Sequence, residues 1–242
     1  MRLSRLFVSF QLEPGDTARL GPRQAHYVAR VLRLRALDPV VLFNGDGFDY
    51  SAVITHVDRD QVRVQIETRL PLTNESPLSV TLVQGISRGE RMDHSLQKAT
   101  ELGVAAVQPV FSERVTLRLS GSRLERRIQH WQAVVESACE QSGRARVPTV
   151  LAPMVLNEWL LLPAAGIRLV LDPAAERSIT AMDVKAGEIE LVVGPEGGLS
   201  PLEIEALLNS GAQAARLGPR TLRTETAGVA ALAVLQSIGG DL

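Results

Sequence analysis

Cysteine is nearly absent from these 242 residues, with Cys139 standing alone. One thiol cannot close an intramolecular disulfide and has no partner for a Cys-x-x-Cys redox or metal pair, so a disulfide scaffold is excluded and a reducing, cytoplasmic setting is expected. No stretch approaches the ~20 apolar residues of a membrane helix. The N-terminal residues meet charged and polar positions before any signal-peptide core develops, so neither targeting nor anchoring is expected. The four histidines (His26, His56, His94 and His130) are far apart and form no His-x-His or His-Glu-x-x-His pattern, and no metal is expected. Lysine is scarce too: Lys98 and Lys185 are the two among 26 basic residues, the rest being arginine.

What is present is an ordinary globular composition, 45% apolar and 22% charged, at a length that suits one small and one medium domain. A net charge of −1 makes no bulk case for nucleic acid. Arginine does suit bidentate phosphate contact and base stacking, although a GC-rich genome would enrich it equally. Between residues 114 and 146 seven arginines face Glu125, Glu136 and Glu140. That local excess fits either a solvated helix face or a phosphate-facing surface.

The pattern along the chain changes once. Residues 3–10, 39–43, 50–55 and 61–67 are short, β-branched and punctuated by Pro14-Gly15-Asp16, Asn44-Gly45-Asp46-Gly47 and Asp58-Arg59-Asp60, which predicts strands. His26, Val28, Val31, Leu32 and Leu34 predict one short helix among them. Residues 1–70 therefore read as a small β-barrel-like domain. Residues 71–77, Pro-Leu-Thr-Asn-Glu-Ser-Pro, read as a linker. From residue 78 to 242, apolar runs at 78–84, 104–110, 168–172, 189–193 and 214–217 alternate with helical segments at 91–102, 122–142, 201–209 and 224–238. That alternation predicts an α/β domain with a mostly parallel sheet covered on both faces.

Two stretches carry the chemistry. The run 189–193 leads into Gly194-Pro195-Glu196-Gly197-Gly198-Leu199-Ser200, and Pro201 follows. Ser200 suits an N-cap, Pro201 the first helical position and Glu203 the third, which completes a capping box. The second is Leu217-Gly218-Pro219-Arg220-Thr221-Leu222-Arg223-Thr224-Glu225-Thr226-Ala227, in which Thr224 or Thr226 can cap the last helix. Glycine-bearing turns at the carboxyl ends of parallel strands are where open α/β sheets bind ligands. Neither a Walker loop nor a Gly-x-Gly-x-x-Gly fingerprint is present, and Glu196 would repel phosphate. A phosphate-free, preferably cationic ligand such as S-adenosylmethionine fits better.

These two loops resemble the cofactor-loop signatures of the RsmE family within the SPOUT methyltransferases. Gln97-Lys98-Ala99-Thr100-Glu101-Leu102-Gly103-Val104, with Pro109 and Ser112-Glu113-Arg114, is similar to the family's middle motif, and Ser4-Arg5-Leu6-Phe7-Val8 to its first strand. The resemblance implies an N-terminal PUA-like barrel, a C-terminal domain threaded into a trefoil knot, a homodimer, and S-adenosylmethionine-dependent methylation of N3 of a uridine in 16S ribosomal RNA, free or within the small subunit. Physical rules alone would argue against the knot, because connections rarely thread loops.

On that footing the backbone of Gly194, Gly197, Leu217, Gly218 and Leu222 is expected to bind adenine and ribose, with Pro195, Thr224, Glu225 and Thr226 in the same loops and Leu171 and Asp172 as a third wall. Glu196 would accept from the cofactor's amino group or ribose, or else cap the following helix. Arg223 is the candidate catalytic residue, a positive group aimed at the uracil oxygens, its competing reading being a pair with Glu225 or Glu196. Arg5, Arg30, Arg33 and Arg114 are the candidate RNA contacts, with a surface pair to Glu113 as the alternative for Arg114. Two other functions compete: a SPOUT enzyme acting on a ribose 2′-hydroxyl or a tRNA base, and a non-catalytic assembly factor that binds ribosomal RNA.

Overall fold

The computed structural model describes residues 3–58, 61–115, 120–184 and 187–242, so Arg59 and Asp60 of the expected turn, Arg118 and Lys185 lie outside the described residues. The chain divides into two compact units, residues 1–75 with 136–147, and residues 76–135 with 148–242. The expected division placed residues 136–147 in the C-terminal domain, whereas their contacts lie with the first unit.

The first unit is built on a five-stranded sheet in the order β1 (Arg5–Phe7), β3 (Pro39–Phe43), β4 (Phe48–Val57), β5 (Val62–Pro71), β2 (Thr17–Arg19). Only β1 and β3 run parallel, and register shifts at Ser51/Ala52 and Ile54/His56 bend β4, as bulges do. Alternation along β4 and β5 sends Ala52, Ile54, Val62, Val64 and Ile66 into a core shared with Leu6, Leu20 and Leu42. Pro22, at the first helical position, opens α1 (Pro22–His26), which continues as a π-helical turn to Leu32 and stops where Arg33 turns left-handed.

Residues 136–147 belong here because of two buried groups. Cys139 and Ala145 pack on Phe43, and the Arg144 guanidinium, 7% exposed, pairs with Glu75 at 2.7 Å. The Asn74 amide also donates to the Gly143 carbonyl, so part of the expected linker is held by hydrogen bonds. Neither signal is periodic, which is why hydrophobic patterning did not find them.

The second unit holds a parallel sheet in the order β12 (Gln213–Ala215), β10 (Ile167–Leu171), β11 (Glu188–Val193), β6 (Ser79–Gly85), β7 (Ala106–Phe111), β8 (Thr149–Val150), with β9 (Met154–Val155) also on β7. Strands β6 and β11 are near-continuous apolar runs because both faces are covered. On one face Val83, Val170 and Val192 meet Leu156 and Trp159 of α4 (Leu156–Trp159) and Leu207 of α5 (Pro201–Asn209). The helices α2 (Glu90–Glu101) and α6 (Thr224–Gly239) pack together, and α6 also packs on β6 and β11. The long helix α3 (Gly121–Ser142) contributes its residues up to 135 to this unit, burying Trp131 and Val135.

The expected strands and helices of this unit are present within a few residues of their expected ends, while the short β8, β9 and α4 carry too few residues to show a period. From β6 the chain moves outward to β7 on one side; on the other it enters at β10, adds β11 beside β6 and leaves β11 outward to β12, so the connections leaving β6 and β11 run in opposite directions. That switch point is where open α/β sheets leave a crevice.

Candidate functional site

The registers set the site. Val193 of β11 lies beside Gln84 of β6, and Leu171 of β10 beside Ala215 of β12. The segments leaving β10, β11 and β12 therefore emerge side by side at the carboxyl edge of one sheet. They enclose a cavity of about 480 Å³ lined by Leu171 and Asp172, by residues 193–199, and by Leu217, Gly218 and residues 220–225. Pro195 and Leu222, from the two separate loops, face this one cavity.

Local chemistry shapes both loops. After β11 the chain turns at Gly194 and enters α5 through a capping box: the Ser200 hydroxyl accepts from the Glu203 N–H while the Glu203 carboxylate accepts from the Ser200 N–H at 2.8 Å. The second oxygen of Glu203 accepts from the Glu113 N–H at 2.7 Å and ties the β7 loop to the same corner. In the second loop Gly218 takes φ +77°, a left-handed conformation open to glycine, and a side chain there would project into empty space.

A buried chain of hydrogen bonds joins the loops. The Gln84 amide, fully buried at the end of β6, donates to the Thr224 hydroxyl at 3.0 Å, and that hydroxyl donates to the Gly194 carbonyl at 2.6 Å. Thr224 is therefore a clasp and not the expected helix cap. The N-cap of α6 is Arg223, whose carbonyl accepts from Thr226 and Ala227. Beside the clasp, Gly85 lets the first loop approach: a Cβ there would lie 2.5 Å from the Pro195 nitrogen. Neither Gln84 nor Gly85 was among the expected site residues. A polar side chain ending an apolar strand, followed by glycine, was the signal.

Arg91 is the other missed residue. Its guanidinium donates to Glu196 Oε1 at 3.0 Å and lies 3.9 Å from Glu225, so one side chain at the start of α2 holds a carboxylate from each loop. Glu196 Oε1 also accepts the Arg88 N–H at 2.8 Å. Burial works against ionisation of Glu196, but hydrogen bonds from the Arg88 and Glu196 N–H groups, with Arg91, outweigh it and lower its pKa. The alternative that Glu196 caps α5 is corrected, because the cap is Ser200; Glu196 lines the cavity with its Oε1 held by Arg88 and Arg91.

Of the expected residues, Leu171, Asp172, Gly194, Pro195, Glu196, Gly197, Leu217, Gly218, Leu222, Arg223, Thr224 and Glu225 line the cavity. Thr226 is not among the lining residues and is exposed, although its neighbours Glu225 and Ala227 both line the cavity. Arg223 is exposed at the cavity, and among the described residues no ion pair joins it to Glu196 or Glu225, both of which face Arg91. Arg114 donates to the Gly197 carbonyl at 2.9 Å instead of pairing with Glu113. Arg30 and Arg33 are exposed on the first unit. Arg5 corrects its expected role: its guanidinium is buried, pairs with Asp49, donates to the Arg144 carbonyl and stacks over Phe43, so it stabilises the first unit from within.

Among the described residues no group of three or more His, Cys, Asp or Glu could hold a metal ion, and no helix is long and apolar enough to cross a membrane.

Similarity to known proteins agrees with this geometry. An RNA methyltransferase domain model matches residues 74–236 and an RNA methyltransferase PUA domain model matches residues 20–67. The ribosomal RNA small subunit methyltransferase E of Buchnera aphidicola is 33% identical over all of this chain and 98% of its own length. The Mycobacterium bovis protein of the same name is 34% identical over 91% of this chain and 86% of its own. A methyltransferase from Legionella pneumophila, solved with bound S-adenosylmethionine, superposes over both full chains with TM-score 0.97 at 37% identity. The ribosomal RNA small subunit methyltransferase E of Neisseria gonorrhoeae, bound to the same compound, does so over 99% of each chain with TM-score 0.95 at 39% identity. With its PUA domain, its parallel-sheet methyltransferase domain and both glycine loops in place, the chain belongs to the ribosomal RNA small subunit methyltransferase E (RsmE) family of RNA methyltransferases.

Proposed function

We propose that this protein transfers a methyl group from S-adenosylmethionine to N3 of a uridine in 16S ribosomal RNA, working as a homodimer. The observation that carries the reading is the meeting of the 194–200 and 217–225 loops around one cavity at the switch point of the sheet. The cavity suits the donor. Its walls present glycine backbone, three carboxylates (Asp172, Glu196 and Glu225) and three arginines (Arg91, Arg220 and Arg223), a setting for an adenosine derivative that carries both a positive centre and a carboxylate. Two relatives above 35% identity were solved with S-adenosylmethionine.

Once bound, the donor would supply an electrophilic methyl group on a sulfonium centre. The backbone of Gly194, Gly197, Leu217, Gly218 and Leu222 would hold its adenosine part, with Leu171 and Asp172 beside it. Uracil N3 carries a proton at neutral pH and is a poor nucleophile until that proton is removed. The protein's work is then alignment, for which ideal orientation offers up to ~7–11 kcal/mol, and stabilisation of negative charge on the uracil oxygens. Arg223, exposed at the cavity, would serve the second task. Arg30, Arg33 and Arg114 are proposed phosphate contacts, each expected to add about one unit to the salt dependence of RNA binding.

Nucleoside mass spectrometry of 16S ribosomal RNA incubated with protein and S-adenosylmethionine tests the reading. Gain of 3-methyluridine supports it. Ribose methylation alone, or methylation confined to tRNA, shifts it to another SPOUT substrate. RNA binding with no heat from S-adenosylhomocysteine in calorimetry would assign an assembly role instead.

A further inference from the structure

A second cavity, of about 310 Å³, has a lining drawn from the first unit alone, Arg23, Gln24, His26, Tyr27 and Glu140 among it. That volume stands at the lower end for a ligand pocket and suits a small planar group. Tyr27 is 40% exposed at this cavity, and neither its hydroxyl nor its ring has a partner among the described residues. It also opens the π-helical turn that ends at Arg33, where φ is +55°, a left-handed conformation that arginine seldom adopts. Such turns are rare and gather at functional sites.

The charges of the wall indicate which planar group enters. Arg23 is already engaged, with Glu136 at 3.1 Å and Glu140 at 3.8 Å, and two negative charges against one positive repel phosphate. Acceptors remain free. Glu140 Oε1 takes the Phe7 N–H at 3.0 Å, but Oε2 has no donor within hydrogen-bond distance among the described residues, and the Gln24 amide donates to the Phe7 carbonyl at 2.7 Å, which leaves its oxygen. A neutral, flat group with hydrogen-bond donors meets these conditions. Unstacked RNA bases are held in this way, by stacking on aromatic rings and by hydrogen bonds to their edges. Adenine, guanine and cytosine each bring an exocyclic amino donor, and uracil brings none.

We infer that this cavity takes one unstacked, amino-bearing base of the RNA substrate, its ring on Tyr27 and its amino group on Glu140 Oε2. The inference rests on the reading above that the substrate is RNA. Arg30, proposed above as a phosphate contact, follows Tyr27 by three residues, a spacing that keeps neighbours of a helical segment on one side. A strand whose base enters the cavity therefore brings its backbone towards a free cation, while the base itself is read by neutral and acidic groups.

Fluorescence anisotropy with the full chain tests this, using short oligouridylates that carry one central adenosine, guanosine or cytidine. At least one of the three should bind the wild type about threefold or more tighter than oligouridylate itself. Tyr27→Leu keeps apolar bulk without the ring and should weaken that oligomer by about 5- to 150-fold, the worth of one stacked base. The slope of log K against log salt should stay as in the wild type, because stacking releases no counterions. Tyr27→Phe should remain within about threefold of the wild type. Glu140→Gln can keep the bond to Phe7 while turning an amide donor towards the base, and should abolish the preference over oligouridylate. Tyr27 is exposed, so its variants carry the test even where Glu140→Gln lowers Tm. Equal binding of all four oligomers, or of none, by a protein that binds 16S ribosomal RNA overturns the inference. So does a Tyr27→Leu loss below about threefold, or one that shrinks at high salt and thus marks a phosphate contact. Failure of the wild type to bind any of these RNAs would reject the RNA reading instead.

Discussion

Replacing Thr224 by valine preserves shape and β-branching and removes one hydroxyl, the atom that joins β6 to both loops. That hydroxyl accepts from Gln84 at 3.0 Å and donates to the Gly194 carbonyl at 2.6 Å, and Thr224 is only 6% exposed. Gln84 keeps its bond to the Gly85 carbonyl, so the group left without a partner is the Gly194 carbonyl. Two hydrogen bonds at ~0.5–1.5 kcal/mol each, with one stranded carbonyl at ~1–3 kcal/mol, overlap in what they count and give about 2–4 kcal/mol. For a unit of this size that lowers Tm by roughly 4–16 °C. Cofactor affinity should drop at least tenfold, since about 1.4 kcal/mol of lost loop order suffices for that factor. Thr224→Ser, which keeps the hydroxyl and loses a methyl, should lose only about 1 kcal/mol. Differential scanning calorimetry and titration with S-adenosylhomocysteine measure both quantities. A Tm change under 1 °C in Thr224→Val with unchanged affinity, or an equal loss in Thr224→Ser, would refute the clasp.

Gly85→Ala should be worse for binding than for folding: its Cβ would meet the Pro195 nitrogen at 2.5 Å, and the loop must retreat at a cost of about 1–3 kcal/mol, read as weaker S-adenosylhomocysteine binding. Arg91→Gln should raise the lowered pKa of Glu196. A lowered carboxylate contributes stability above its ordinary range and loses it as pH falls through the lowered value, so the acid limb of Tm against pH should move to higher pH in the variant. The size should be modest, about 0.2–1 kcal/mol for a partly exposed pair; coincident limbs would reject the bridge. Burial pushes the Cys139 thiol up to about 12, so a disulfide reagent at pH 8 should leave the native protein unmodified and label it in denaturant.

Much of this molecule was legible without coordinates. Periodicity located β6, α2, β11, α5 and α6, and the Ser200 capping box was readable from three residues because its hydrogen bonds are local. The glycine loops identified themselves because only a few residues tolerate the turns that parallel strand ends require. The knot stays an implication of the resemblance; strand order alone is what the sheet displays.

Tertiary structure decided the partners. That Arg91 holds Glu196 and Glu225, that Thr224 clasps Gly194 instead of capping its helix, that Arg5 is spent on Asp49, and that residues 136–147 join the first unit all depend on contacts between residues from 30 to more than 130 positions apart. Backbone propensity and side-chain period are properties of neighbours along the chain and survive in a string of letters. A charge or hydroxyl finds its partner only when distant segments are brought to one sheet edge, and no local pattern encodes which of 24 arginines will be there.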